Sequence, residues 1–121
     1  MARKVVVNLS SGPEEPETAT VAFIVADSAL SSGKELVMFL TKEAVRLAIE
    51  GEAEQLAVPG YRPLGELFRA VADAGGELHC CTPCFKSRGL DPAALAANAK
   101  VSGAMNLFAW IGEEGAEVFS F

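Results

Sequence analysis

The sequence predicts an α/β fold: a single three-layer domain with a mostly parallel five-stranded sheet. Strand-like apolar segments alternate with helix-like segments along all 121 residues, as in repeated βαβ units. Most of the strand segments are continuously apolar, which is typical of strands covered on both faces. No linker-like stretch interrupts the alternation, so we expect residues 1–121 to form one domain.

The first strand is predicted at Lys4–Leu9, where KVVVNL is β-branched and apolar. A loop at 10–13 follows. Acidic residues and Pro16 in a first turn then predict a helix over 14–31. Its stretch 19–26 is apolar nearly all round, so we expect one side to face the sheet and another to face a neighbour.

The second strand is predicted at Glu35–Leu40, which reads ELVMFL. Thr41 can cap a following helix that extends to residue 50. Residues 51–62 contain a Pro-Gly pair and read as a connection. The third helix is predicted over 63–74, because a Gly-Gly pair ends it.

The third strand is predicted at Glu77–Cys81, and a single helical turn is expected at 85–88. Asp91 followed by proline is a strong signal for a helix start, here predicted to continue to residue 98. A very short strand at 100–102 comes next.

The chain then offers a helix at 105–111 and a last strand at 116–121. With right-handed crossovers, we expect the strand order 2-1-3-4-5. Ligands of open parallel sheets bind beyond the carboxyl ends of the strands, where the strand order reverses. That order places the loops 10–13 and 81–84 in one crevice.

The most informative feature is the group of three cysteines, Cys80, Cys81 and Cys84, which are the only ones in the chain. Cys81 stands at a strand end before a helix start, where the helix dipole favours a thiolate, so we expect it to be the nucleophile. Cys80 points to the opposite side of the strand and is expected to be a buried, inert side chain. Cys84 lies within reach of Cys81 for a disulfide if the turn is helical.

Four further residues are candidates for substrate binding. Ser11 and Gly12 lie in the loop after the first strand, which lacks the spacing of a phosphate loop. Lys42 follows the second strand and Arg88 lies one turn beyond Cys84, so either can bring a positive charge to a thiolate or an anion. A solvated surface position is the alternative for both.

Composition excludes several function classes. The formal net charge is −6 and no basic stripe is present, which disfavours nucleic acid as a partner. No apolar run is long enough for a membrane span, and the first residues do not read as a signal peptide. Clustered, odd-numbered cysteines fit a reducing cytoplasm. Zinc held by His79 and the cysteines is a weaker alternative, because adjacent strand residues diverge, so we expect no metal and no cofactor.

Four segments together resemble the DsrE/DsrF-like family in order and spacing. They are residues 8–14, 33–45, 76–90 and 115–121, and the similarity covers nearly the whole chain. The resemblance implies a flavodoxin-like fold of the YchN type, a homo-trimer or homo-hexamer, and sulfur transfer. By position Cys81 matches the family's persulfide-carrying cysteine, and Cys84 matches an additional cysteine of some branches.

Three hypotheses for the function follow. The first is a sulfur-carrier or sulfur-relay protein of sulfurtransferase-like character that holds a persulfide on Cys81 and exchanges sulfur with a donor or acceptor protein. The second is a small dithiol oxidoreductase, in which Cys84 resolves a disulfide formed on Cys81. The third is a homo-oligomeric binding protein without catalysis. The apolar surface of the first long helix supports a homo-oligomer in each case.

Overall fold

The computed structural model describes residues 3–121, which form one five-stranded parallel sheet with helices around it. The strands are β1 Lys4–Leu9, β2 Glu35–Leu40, β3 Glu77–Cys80, β4 Ala99–Val101 and β5 Glu117–Ser120. The helices are α1 Pro16–Ser31, α2 Leu64–Asp73, α3 Thr82–Ser87 and α4 Ala104–Ile111, with 3-10 helices at Lys42–Ala48, Ala53–Gln55 and Pro92–Ala94. The predicted α/β class with a parallel five-stranded sheet is confirmed.

The strands lie in the order β4-β3-β2-β1-β5, so the predicted order 2-1-3-4-5 is wrong. β2 separates β1 from β3, as the register Asn8↔Phe39↔His79 shows. The direction of winding therefore reverses between β1 and β5, and the loop after β3 is not next to that reversal. The apolar faces of the strands are covered by helical layers and do not specify which strands pair edge to edge, so the apolar pattern could not determine this order; β2, with buried residues on both faces, lies between β1 and β3.

The crossovers divide the helices between the two faces of the sheet. Successive right-handed connections from β1 to β4 run in one direction and place α1, α2 and α3 on one face. The return from β4 to β5 places α4 on the other. The main core lies under the first group, where Phe23 of α1 and Phe68 of α2 stack with their ring centroids 5.8 Å apart. The result is the predicted three-layer arrangement.

Two predicted helices are replaced by 3-10 turns. The segment predicted as a helix up to residue 50 is a 3-10 helix, and Thr41 does not cap it, because its hydroxyl points back to the carbonyl of Leu9 at 3.5 Å. Asp91 does cap the helix that was expected to continue to residue 98, with Oδ1 accepting from the backbone N–H of Ala93. That helix stops after one turn, because the following backbone pairs with the chain around Ile49.

The layer formed by α4 is thin and leaves apolar side chains in solvent. Met105 and Phe108 of α4 are 86% and 71% exposed, and Val118 of β5 is 58% exposed. By contrast, the apolar stretch of α1 is largely buried within the protomer itself, at Ala19, Ala22, Phe23 and Ala26. Within residues 3–121, no helix is long and apolar enough to cross a lipid bilayer.

Candidate functional site

The candidate site lies where neighbouring parallel strands end at the same edge of the sheet. The backbone N–H of Thr41, just after β2, donates to Leu9 at the end of β1. The N–H of Cys81, just after β3, donates in turn to Leu40 at the end of β2 over 2.9 Å. The loops after β1, β2 and β3 are therefore held side by side, although β1 and β3 are not paired.

Cys81 and Cys84 face each other across the first turn of α3. Cys81 is the N-cap of this helix and Cys84 is its third residue, so a single turn brings the two side chains together. The Cys84 thiol donates to the Cys81 sulfur, and the two Sγ atoms are 2.7 Å apart. Both thiols are half-buried and free. The expected proximity of these two residues is therefore present in the reduced protein.

The environment of Cys81 opposes ionisation, contrary to the expectation of a thiolate. Burial raises the pKa of the Cys81 thiol, and the hydrogen bond with Cys84 raises it further. The backbone N–H of Cys84 and the charge of Arg88 lower this pKa by smaller amounts. The backbone N–H that lowers this pKa belongs to the first turn of α3, and it does not outweigh burial and the thiol–thiol hydrogen bond.

Arg88 forms an ion pair with Glu43, which is not among the candidate residues predicted from the sequence. Its Nε atom donates to Oε1 of Glu43 at 2.7 Å, and its Nη1 atom donates to the carbonyl of Cys84 at 3.1 Å. Glu43 also accepts from Arg46 at 2.7 Å, and these two guanidinium groups lower the pKa of its carboxyl. Arg88 thus connects the loop after β2 to the turn that carries Cys84. No sequence signal marks this pair, because 45 residues separate its members.

Gly12 makes the closest approach between two of these loops. A Cβ atom at this position would lie 2.2 Å from the carbonyl oxygen of Glu43, so only glycine fits. Its N–H donates to the carboxylate of Glu14 at 2.8 Å. Among the candidates for substrate binding, Gly12 therefore has a packing role that the structure shows directly.

Lys42 and Ser11 lie on the same edge of the sheet as the thiol pair, but none of the contacts described above involves their side chains. Lys42 is the one non-glycine residue of 3–121 with positive φ, at 52°, and its side chain is exposed. Ser11 is half-buried in the loop after β1. The neighbouring Ser10 makes the contacts of that loop, donating from both its N–H and its hydroxyl to the carbonyl of Phe121.

Cys80 and His79 are buried away from the thiol pair. Cys80 belongs to the core, and burial raises the pKa of its thiol to about 12, so the expectation of an inert residue fits. His79 is 3% exposed, with Nε2 at 2.9 Å from Glu77 and with Nδ1 buried without a partner among residues 3–121. Within the same residues, no group of three or more His, Cys, Asp or Glu side chains is arranged to hold a metal ion.

The larger cavities do not include either thiol of the pair. One of 440 Å³ lies between α2 and the segment around Ile49. Another, of 510 Å³, lies between α3 and the outer edge of β4, and it is lined by Phe85, Leu90 and Val101. The thiol pair is therefore a half-buried site at the start of α3 and not part of either cavity.

Two archaeal proteins are similar to the chain in sequence. The uncharacterized protein MK0008 of Methanopyrus kandleri is 30% identical over 115 residues, which are 95% of this chain and 92% of that protein. The uncharacterized protein MJ0760 of Methanocaldococcus jannaschii is 27% identical over 95 residues. These are 78% of this chain but 34% of that protein, so the chain spans about a third of this longer relative.

Solved structures share the fold at low sequence identity. The YchN protein of E. coli superposes with a TM-score of 0.80 at 20% identity, with all of both chains covered. The protein of unknown function MTH1491 of Methanobacterium thermoautotrophicum has a TM-score of 0.68 at 11% identity, with 98% of each chain covered. These likenesses confirm the expected YchN-like fold.

The family model described as the DsrE/DsrF-like family matches residues 3–121. This range contains the three strand-end loops and both thiols of the pair. The resemblance of the four sequence segments is therefore confirmed over residues 3–121, and the chain belongs to the DsrE/DsrF-like family.

Proposed function

We propose that the protein is a sulfur carrier that holds sulfane sulfur as a persulfide on Cys81. The observation that carries the proposal is the position of this half-buried thiol at the carboxyl edge of the sheet, in a member of a family that includes sulfur-relay proteins. The thiol is open enough to meet another protein's persulfide. Its raised pKa means that the transfer needs deprotonation during the encounter rather than a standing thiolate.

Loading is tested by incubating reduced protein with glutathione persulfide and recording the intact mass. We expect the Cys84→Ser variant to gain about 32 Da, the mass of one sulfur atom, on Cys81. Cys81→Ser should gain nothing, whereas Cys80→Ala should load normally because Cys80 is buried. Equal loading of Cys81→Ser would show that the carrier site is misassigned.

A dithiol oxidoreductase is the second candidate, and one specific observation favours it. The 2.7 Å separation of the Cys81 and Cys84 sulfurs lies between van der Waals contact and an S–S bond of about 2.05 Å. In that case a disulfide substrate should leave wild type with a disulfide, about 2 Da lighter, and should leave Cys84→Ser with a trapped mixed disulfide.

We also propose a homo-oligomer, a trimer or hexamer, assembled through α4 and β5 rather than through α1. Among residues 3–121, Met105, Phe108, Val118 and Phe119 are the exposed large apolar residues, and β5 is an edge strand of the sheet. Exposed apolar side chains beside an open strand edge are typical of a covered surface. The free cysteines fit a reducing compartment, so we propose a cytoplasmic location.

A further inference from the structure

We propose that Cys84 discharges the Cys81 persulfide within the same chain, releasing hydrosulfide and leaving a Cys81–Cys84 disulfide. This inference rests on the proposed carrier function and says where the sulfur goes. It makes the pair a centre that accepts sulfane sulfur on Cys81 and then releases it as hydrosulfide.

The first support is the distance between the two sulfur atoms. The Cys84 thiol lies 2.7 Å from the sulfur that would carry the persulfide. A nucleophile held in contact with the atom it attacks reacts with an effective concentration far above that of any acceptor in solution. A persulfide on Cys81 is therefore always next to a competing thiol.

The second support is that Cys84 cannot easily move away. Phe85, the next residue of α3, is buried in the main core. The carbonyl of Cys84 accepts a hydrogen bond from Arg88, which is itself tied to Glu43. These contacts fix the turn from both sides, so the thiol stays beside Cys81.

The third support is the direction of attack. Thiol exchange proceeds by attack on one sulfur and departure of the other. Cys84 touches the inner sulfur, the Sγ atom of Cys81, and displacement at that atom makes the outer sulfur the leaving group. Attack on the outer sulfur would require Cys84 to lie beyond it, further from Cys81 Sγ by a bond of about 2.05 Å.

The chemical step balances without an external oxidant. The bond between Cys81 Sγ and the outer sulfur breaks, and a bond between Cys81 Sγ and Cys84 Sγ forms. The two cysteines lose two electrons in total, and the sulfane sulfur gains them and leaves as hydrosulfide. The thiol proton of Cys84 leaves with the hydrosulfide or passes to water. Hydrosulfide is a less basic leaving group than an alkyl thiolate, which favours this direction.

The product defines the reaction that must follow. A protein with a Cys81–Cys84 disulfide cannot accept sulfur again until both thiols are restored. The class of reaction required is thiol–disulfide exchange with a dithiol reductant. The partner implied by the chemistry is therefore a dithiol reductase, in addition to the sulfur donor.

The experiment uses the full chain and one equivalent of glutathione persulfide. We expect wild type to end about 2 Da lighter, with one equivalent of hydrosulfide released. We expect Cys84→Ser to keep the added sulfur at least on the order of a hundredfold longer, with no hydrosulfide released. Cys80→Ala is the matched control that removes a thiol outside the pair, and it should behave as wild type.

The possible outcomes separate the two proposals. If Cys84→Ser and wild type keep the added sulfur equally long, the discharge is wrong and the carrier function stands. If neither protein gains sulfur, the carrier function is wrong and the discharge falls with it. If Cys84→Ser instead accumulates a glutathione adduct, the disulfide of wild type arises by exchange with glutathione, which contradicts the discharge.

Discussion

The backbone of Gly12 packs directly against the backbone of Glu43, so closely that a Cβ atom would lie 2.2 Å from the Glu43 carbonyl oxygen. Glu43 in turn holds Arg88, whose guanidinium also binds the carbonyl of Cys84. A contact between the loops after β1 and β2 thus supports the position of a thiol in the loop after β3. The geometry of the pair depends on residues from three separate loops.

Gly12→Ala should destabilise the protein and also disturb the thiol pair. The clash is with backbone atoms, which cannot rotate away, so we expect a loss of about 1–3 kcal/mol in the free energy of unfolding. Gly103→Ala is the matched control, because a Cβ atom there meets only the Thr82 hydroxyl at an ordinary 3.7 Å. Denaturant unfolding of both variants checks the difference, and equal stabilities would contradict the close approach.

Glu43→Gln should increase the reactivity of Cys81. At neutral pH the Glu43 carboxyl is ionised, because hydrogen bonds from Arg88 and then Arg46 lower its pKa. Without that negative charge, the Arg88 guanidinium acts more fully on the thiols and lowers the pKa of Cys81. We expect alkylation at pH 7 to become about two- to tenfold faster, since the thiolate is the reacting species.

The control for this prediction is Glu54→Gln. Glu54 forms an equivalent exposed pair with Arg69, at 2.6 Å, but on another part of the surface. It should leave the alkylation rate unchanged. A second check is Arg88→Met combined with Glu43→Gln, which should return the rate to the wild-type value or below.

Cys80 should remain unlabelled in the native protein under conditions that label Cys81. Burial raises the pKa of Cys80 to about 12, whereas an unfolded cysteine has a pKa of about 8.5. The neutral buried thiol therefore contributes its full stabilisation below the lower value, and the contribution is lost as the pH rises toward 12. Pulsed alkylation read by mass spectrometry tests the labelling, and faster labelling of Cys80 would contradict the assignment.

Alkaline unfolding gives an independent measurement of the same effect. Because only the unfolded state ionises Cys80 between these two values, wild type should lose stability with rising pH more steeply than Cys80→Ala. The comparison uses the slope with pH and not the absolute stability, which the loss of the buried side chain also changes.

Phe108→Asp should shift the assembly toward the monomer. Phe108 is 71% exposed in the single chain, so a charge there costs the protomer little but is unfavourable in a covered interface. Ala57→Asp, at an exposed loop position, is the control and should leave the assembly unchanged. Light scattering measures the mass, and a wild-type monomer would contradict the proposed oligomer.

Lys42→Gly should stabilise the protein relative to Lys42→Ala. The backbone of Lys42 has φ of 52°, a conformation that costs about 1–2 kcal/mol for a residue with a Cβ atom. The greater freedom of unfolded glycine offsets part of the gain, so we expect a net difference of about 0.5–1 kcal/mol. Thermal unfolding of the two variants measures it, and a less stable glycine variant would show that the turn imposes no strain.

The sequence alone predicts the bounds of the strands whose residues are continuously apolar. β1 and β2 have the predicted bounds, because both are continuous apolar segments and β1 is also rich in β-branched residues. The strand order was not obtained, because apolar character shows that a strand is buried and not which strand it pairs with. Even so, β2 is buried on both faces and β4 has only three residues, which are features of a central and an edge strand respectively.

In the candidate site too, features set by local spacing could be predicted from the sequence, and features set by tertiary packing could not. The proximity of Cys81 and Cys84 follows from their spacing in one turn, and it was predicted. The ion pair of Glu43 with Arg88 joins residues 45 positions apart, so nothing in the local sequence could indicate it. For the same reason the raised pKa of Cys81 was missed, because burial depends on tertiary packing while the dipole argument uses only local order.

The pairing of β1 with β5 has a consequence for how the domain folds. β1 pairs with β2, which lies about thirty residues further along the chain. Its other partner, β5, lies more than a hundred residues further along, as the pair Val5↔Glu117 shows. Closing the longer loop costs more chain entropy, so β1, β2 and β3 are expected to assemble first and β5 to dock last. Because the loop after β1 is hydrogen-bonded to Phe121, its final geometry, and with it the bracing of the two thiols, is complete only when the last strand has docked.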